Sequence, residues 1–297
     1  NYATLEAAIT AAKENATVKL LKDITVKTVK KDSPIILLNK TLTLDGNGKT
    51  ITAELGDIKP AEDAENKGMS HVLGLQAKDI VVKNLTINGG DAARHGVQTY
   101  GADNSATLEN VTIKDCTGYG AVANGSILTV NGLNTSGNNW GGINVSKGSN
   151  VTNTPTLQFN KGTLEEENKI QLDNVDGSSV VDTVVEFGDE AGPWHAEKSA
   201  DENIIKYLPG ADITGIKLNV TEMTLEVGDK AQLIATVSPE NAYNKDVTWS
   251  VPEGTKAIEV DADTGVVTAL VKAEKVEVTA TAKDGKTTAT CNITVTE

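Results

Sequence analysis

His71-Val-Leu-Gly-Leu75, His95-Gly-Val-Gln-Thr99, Tyr119-Gly-Ala-Val-Ala123 and Gly141-Gly-Ile-Asn-Val145 are variants of one short pattern, and their starts lie 24, 24 and 22 residues apart. A second column falls between them: Asn84-Leu-Thr-Ile87, Asn110-Val-Thr-Ile113 and Gly132-Leu-Asn-Thr135, spaced 26 and 22. Short strands and turn residues recurring at this period predict a coiled β-solenoid, in which each repeat buries its apolar face only by stacking on the next.

Strand alternation assigns the faces. Leu73, Val97, Ala121 and Ile143 form one inward column, and Leu75, Thr99, Ala123 and Val145 another. The outward columns read Ser70/Arg94/Gly118/Trp140, Gly74/Gln98/Val122/Asn144 and Gln76/Tyr100/Asn124/Ser146. This face therefore gathers Arg94, Gln98, Tyr100, Asn124, Trp140 and Asn144. Flat aromatics among amides suit sugar rings, which present an apolar face for stacking and hydroxyls for hydrogen bonding. The plainer reading is a solvated sheet face with incidental aromatics.

Upstream, Thr4 is placed to cap a helix whose apolar residues Leu5, Ala8, Ile9 and Ala12 fall at helical spacing, with Asn15 as its expected end. Such a helix would cover the bare first coil of the solenoid. Strands are expected at Val18–Leu21, Ile24–Val26 and Ile35–Leu38. In Thr41–Ile51, Leu42 and Leu44 are matched to Leu85 and Ile87, and Gly46 and Gly48 mark a bend into the next strand. Residues 53–70 break the period as an acidic insertion, expected to be a surface loop. The repeat fades after Val151, with strands expected at Leu157–Phe159, Lys169–Leu172 and Val180–Phe187. Residues 188–203 are acidic and turn-rich and are expected to close the solenoid, and Pro209-Gly210 marks the domain boundary.

From Ile213 short alternating strands crowd about 85 residues, as in a β-sandwich. Ile216, Leu218 and Val220 alternate, as do Leu225 and Val227. Gln232–Val237, Val247–Trp249, Val266-Val267 and Val276–Ala280 follow.

The chain carries 27 basic and 41 acidic residues, a net charge of −14. That balance argues against nucleic acid and anionic membrane surfaces as partners. Arg94 is the sole arginine. Cys116 and Cys291 lie far apart and outside any metal-ligand spacing, and are expected to be small buried hydrophobes rather than a disulfide. No run approaches the ~20 apolar residues needed to cross a bilayer. No cofactor is expected from the motifs present.

The Thr41–Ile51 stretch and the Asn-Leu-Thr-Ile column resemble right-handed parallel β-helix proteins of the pectate-lyase-like superfamily, as a pattern over roughly residues 16–190. Leu225-Glu-Val-Gly-Asp229, Ala235-Thr-Val-Ser-Pro239, Val247-Thr-Trp-Ser250, Asp263-Thr-Gly-Val-Val267 and Ala280-Thr-Ala-Lys-Asp-Gly285 resemble the bacterial immunoglobulin-like group 2 domain over residues 213–296. That second resemblance implies Trp249 as core tryptophan and Gly265 as turn glycine before a strand. It also implies an extracellular spacer or adhesion module. No signal peptide is visible in a sequence that begins at Asn1, so secretion is inferred from this resemblance. The expected fold is all-β: a right-handed parallel β-helix with an N-terminal capping helix over 1–208, then an Ig-like β-sandwich over 209–297.

Asp91 and Asp115 each lie four residues before a column start, so they should stack on adjacent coils. Two carboxylates that close can share a proton, bind Ca²⁺ or act as an acid/base pair. Asp is also an ordinary turn residue. His71 and His95 have inward parity, which reads as satisfied or semi-exposed structural histidines; their side chains emerge if they begin the strand at a bend. The paired adjacent aspartates and Gly-His-Gly of polygalacturonase-like hydrolases are absent. The resemblance to pectate lyases implies an arginine beside calcium-binding carboxylates, for which Arg94, Asp91 and Asp115 are the candidates. The expected function is a non-catalytic bacterial surface or secreted protein whose solenoid presents a face to a polysaccharide, host glycan or protein partner. The alternative is a polysaccharide lyase or glycoside hydrolase using Asp91, Asp115, Arg94 and His95.

Overall fold

The computed structural model describes residues 1–29, 33–56, 70–148, 153–174, 185–200 and 203–297. The chain is nearly all β and divides into two compact units, Asn1–Gly192 with Ala196–Leu208, and Pro193–His195 with Pro209–Glu297.

The first unit opens with α1 (Leu5–Ala11). The Thr4 hydroxyl accepts from the Ala7 N–H at 3.2 Å, and Leu5 and Ile9 are the helix's buried residues. The helix stops at Ala11 rather than at Asn15, because Ala12 is already extended. Lys40 ends it from across the fold, its Nζ donating to the Thr10 and Ala12 carbonyls at 3.1 and 3.0 Å. A cation at the helix C-terminus satisfies orphan carbonyls and opposes the dipole. Asn15 instead takes φ 61°, starting the turn into the first strand.

Next come β1 (Ala16–Lys19), β2 (Ile24–Lys27), β3 (Ser33–Leu38), β4 (Leu42–Glu54), β5 (Ser70–Leu75), β6 (Ile80–Asn88), β7 (His95–Tyr100) and β8 (Ser105–Lys114). They are followed by β9 (Tyr119–Asn124), β10 (Ile127–Ser136), β11 (Gly141–Lys147), β12 (Thr156–Leu164), β13 (Ile170–Asn174), β14 (Val185–Phe187), β15 (Trp194–Lys198) and β16 (Ile204–Pro209). From β2 to β15 successive strands go to alternate sheets. One sheet runs β1-β4-β6-β8-β10-β12-β14, with β2 beside β4, and the other β3-β5-β7-β9-β11-β13-β16-β15. Every pairing from β3 to β13 is parallel, and β16 closes the second sheet antiparallel to β13. Two parallel sheets fed alternately by one chain make a solenoid.

The registers place the core. Ile36, Leu73, Val97, Ala121, Ile143 and Ile170 stack in one fully buried column of the second sheet. In the neighbouring column Thr99 is the polar member. It is tolerated because its hydroxyl bonds Ser126 Oγ at 2.6 Å and the Val122 carbonyl, and a buried hydroxyl is stable only when so paired. Across the core, Leu44, Val82, Leu108, Val130 and Phe159 stack in the first sheet. At ~25 cal/mol per Å² these side chains supply most of the driving force.

The strands of the first sheet are longer than the repeat implies. Gly46 and Gly48 do not end a strand; they lie in a register shift inside β4. Leu44 therefore pairs with Val82, and it is Lys49 and Ile51 that pair with Leu85 and Ile87. The Asn84/Asn110/Gly132 column is the same feature in later coils, a left-handed residue (φ 51°, 52° and 106°) that kinks each long strand. Asparagine and glycine are the residues that occupy this region most readily.

Ala53 and Glu54 still belong to β4, and residues 57–69 of the expected insertion lie outside the described residues. So does the 180–184 part of the expected Val180–Phe187 strand. The turn-rich 188–203 region holds a 3-10 turn (Asp189–Ala191) and β15, a strand its composition does not announce.

The second unit contains β17 (Gly215–Leu218), β18 (Glu222–Glu226), β19 (Lys230–Gln232), β20 (Ala235–Ser238), β21 (Val247–Ser250), β22 (Ile258–Val260), β23 (Val266–Ala269), β24 (Ala273–Ala282) and β25 (Thr288–Thr296). They pair as β18-β25-β24-β21, β19-β23-β22 and β17-β20 around Trp249, Leu233, Val267, Val278 and Ile293. Trp249 is buried, and Gly265 turns at φ +73° beneath its ring, where a Cβ would fall 2.6 Å from Trp249 Cε2. The expected Gln232–Val237 strand is two, parted where buried Leu233 crosses to the core.

Candidate functional site

The outward side of the β5-β7-β9-β11-β13 sheet holds a groove of about 550 Å³. Its walls come from successive coils: His71 and Gln76, then Arg94, His95, Gln98 and Tyr100, then Tyr119, Val122 and Asn124, then Trp140, Asn144 and Ser146, and last Asp173. Arg94, Gln98, Tyr100, Trp140 and Asn144 are thus brought together, as strand alternation places them.

Three aromatic rings climb one edge. His71 stacks on His95 with centroids 5.1 Å apart, and His95 on Tyr119 at 6.0 Å. His95 and Tyr119 begin their strands and His71 is the second residue of its own, and their side chains reach the groove despite inward parity. Trp140 meets both His95 and Tyr119 edge-on at 5.8 Å. The Arg94 guanidinium lies 5.0 Å over the Trp140 ring, a cation–π contact. Gly118, the residue between Arg94 and Trp140 in their column, has no side chain to intervene. A Cβ there would sit 2.6 Å from the Arg94 carbonyl oxygen and 2.7 Å from His95 Cε1.

His95 Nδ1 accepts the backbone N–H of Tyr119 at 2.9 Å, so the ring proton of the neutral form is on Nε2. Burial, then the positive fields of His71 and Arg94, holds this imidazole well below the usual histidine range. Burial and the nearby Asp173 carboxylate push the Tyr119 phenol up. His95 and Tyr119 are therefore both neutral at ordinary pH.

The opposite edge is polar. Tyr100, Asn124, Ser146 and Asp173 stand in one row across four coils. Asn144 Nδ2 donates to Asp173 Oδ1 at 3.1 Å, and Gln171 Nε2 to Asp173 Oδ2 at 2.9 Å. Sequence reading stopped short of Asp173 because the repeat fades there. The alternation of Ile170 and Leu172 with Gln171, matching Ile143, Val145 and Asn144, is the signal that carries the column one coil further.

Asp91 and Asp115 do stack, the Asp91 N–H donating to the Asp115 carbonyl at 2.9 Å. Both sit at left-handed turn positions, φ 52° and 55°, and neither lines the groove. Asp115 Oδ2 lies 3.4 Å from Lys114 Nζ. Calcium takes six to eight oxygen ligands, and among the described residues no group of three or more His, Cys, Asp or Glu converges.

Cys116 and Cys291 are buried free thiols. No helix among the described residues is long and apolar enough to cross a membrane.

Residues 212–293 match the family of bacterial Ig-like domains (group 2). Over 83 residues the chain is 40% identical to an "Ig-like virion protein" of Serratia phage KSP90, a match covering 28% of this chain and 31% of that protein. The chain thus spans about a third of the length of the curated relative it matches. The family match falls wholly within the second unit, which is a bacterial Ig-like domain.

Proposed function

We propose that this chain is a non-catalytic recognition module of a cell or virion surface, in which the solenoid groove binds carbohydrate and the Ig-like domain serves as spacer. The observation that carries the binding reading is the groove's lining: aromatic rings on one edge, amides and hydroxyls on the other, over a floor that includes Val122. Such a surface offers both the stacking and the directional hydrogen bonds that a sugar ring needs. Absence of catalysis is supported by the carboxylates. Hydrolysis by the usual route takes two flanking the scissile bond, and Asp173 is the one carboxylate among the described residues that line the groove.

The surface location rests on likeness. The matching relative is named a virion protein, and group 2 Ig-like domains resemble adhesion and spacer modules. We take residues 1–208 as the binding domain and 209–297 as the spacer. Glycan-array screening of the full chain, followed by calorimetry on the hits, tests the reading. Binding lost in Tyr100→Ala and Asn124→Ala supports it, and no glycan bound at millimolar concentration overturns it. Release of reducing or unsaturated sugar from a polysaccharide panel would overturn the non-catalytic part.

A further inference from the structure

We propose that Asp173 makes the groove selective for amino sugars with a free ammonium over their N-acetylated or acidic counterparts, an inference that rests on the carbohydrate-binding reading. Asp173 ends the row Tyr100, Asn124, Ser146, Asp173, in which the other three members are neutral. Its carboxylate is half-buried and held by two side-chain amides, one on each oxygen. Those bonds fix the plane of the carboxylate, while each oxygen retains a lone pair for a further donor. No cation pairs with Asp173 among the described residues. An oriented, partly desolvated carboxylate that lacks a counter-charge is a site for a cationic donor, since hydrogen bonds between ionised groups are about twice as strong as neutral ones.

Two further features favour an ammonium over a plain hydroxyl pair or an anion. The chain's net charge of −14 draws cationic ligands and repels acidic ones. A sugar carboxylate at this end would meet Asp173 at close range, and like charges so juxtaposed are strongly disfavoured. The row also sets the ligand's length. Tyr100 is three coils from Asp173, about 14 Å at ~4.8 Å per strand, so an oligosaccharide can stack on the exposed Tyr100 ring while its ammonium reaches the carboxylate.

The test is calorimetric titration of the full chain near pH 6 with glucosamine tetrasaccharide and, separately, N-acetylglucosamine tetrasaccharide. The expected result is at least tenfold tighter binding of the free amine, a margin that shrinks as salt is raised. Asp173→Asn should remove that margin by weakening binding of the free-amine oligomer far more than binding of the acetylated one, and Asp173→Glu should keep part of it. If Asp173→Asn fails to fold, the wild-type comparison and its salt dependence still decide. Equal affinity for the two oligomers, preference for the acetylated one, or equal loss of both in Asp173→Asn would each overturn the selectivity but leave carbohydrate binding standing. Binding of no sugar at all would overturn both.

Discussion

The Arg94 guanidinium lies 5.0 Å over the Trp140 ring although the two residues belong to coils that are not neighbours. The contact exists because Gly118, on the coil between them, presents no side chain. Gly118→Ala would put a Cβ 2.6 Å from a backbone oxygen and 2.7 Å from the His95 ring, and backbone cannot yield as a flexible side chain can. The expected cost is about 1–3 kcal/mol, the usual penalty for overpacking. Urea denaturation measures it, with Gly215→Ala, which meets nothing within 4 Å, as a control expected within about 0.5 kcal/mol of wild type. Equal stability of the two variants would mean that the coils slide apart freely and that Gly118 does not set the groove's shape.

The buried imidazole of His95 makes stability fall with acid. His95 is held below its ordinary value near 6.5 by burial and by the positive fields of His71 and Arg94, and its Nδ1 is already an acceptor. The unfolded chain therefore takes up a proton near pH 6.5 while the folded one does not. This contribution to stability is whole above pH 6.5 and is lost as pH falls from there toward the folded value. His95→Gln removes the titration. The stability gap between wild type and His95→Gln should be widest above pH 7 and narrow toward pH 5. A gap that stays constant across that range would show that the ring does not titrate as its surroundings require.

How far the sequence carried the fold can be judged from particular columns. Leu73, Val97, Ala121 and Ile143 were legible because strand alternation has a period of two and the coil repeat is nearly constant. The match of Leu42 and Leu44 to Leu85 and Ile87 went astray because a left-handed Asn or Gly kinks a strand without ending it. In one dimension that kink looks like a turn. The groove was half legible. Its outward residues followed from parity, but His71, His95 and Tyr119 reach it from strand starts, where parity no longer governs direction. Asp173 needed the register Ser146 to Asp173 across a stretch where residue types stop repeating.

One polar network should be as important to the solenoid as its apolar columns. Asn138 Oδ1 accepts the Cys116 N–H at 3.0 Å, and its Nδ2 donates to Glu166 Oε1 at 2.6 Å and to the Ile113 carbonyl at 3.3 Å. Thr135 Oγ1 donates to the other oxygen of Glu166. The network ties three successive coils, and both Asn138 and Glu166 are buried. Asn138→Ala leaves the Cys116 amide and Glu166 short of partners, at an expected cost of about 1–3 kcal/mol. A double-mutant cycle with Glu166→Ala should return a coupling of about 0.5–3 kcal/mol. Additive losses would mean that the two side chains act separately.

The thiols offer a check on both units at once. Cys116 and Cys291 are free and fully buried, and burial pushes both up from the ordinary thiol range. For Cys116 the neighbouring charges of Asp115 and Glu166 act in the same direction. Since the thiolate is the reactive species, both should resist a thiol reagent such as DTNB at neutral pH. Native protein is expected to show no fast-reacting thiol, and protein in strong denaturant two, with no reductant needed. A single fast thiol in the native protein would locate local opening in one unit, to be assigned by Cys116→Ala and Cys291→Ala. A need for reductant would contradict the free, buried state of the pair.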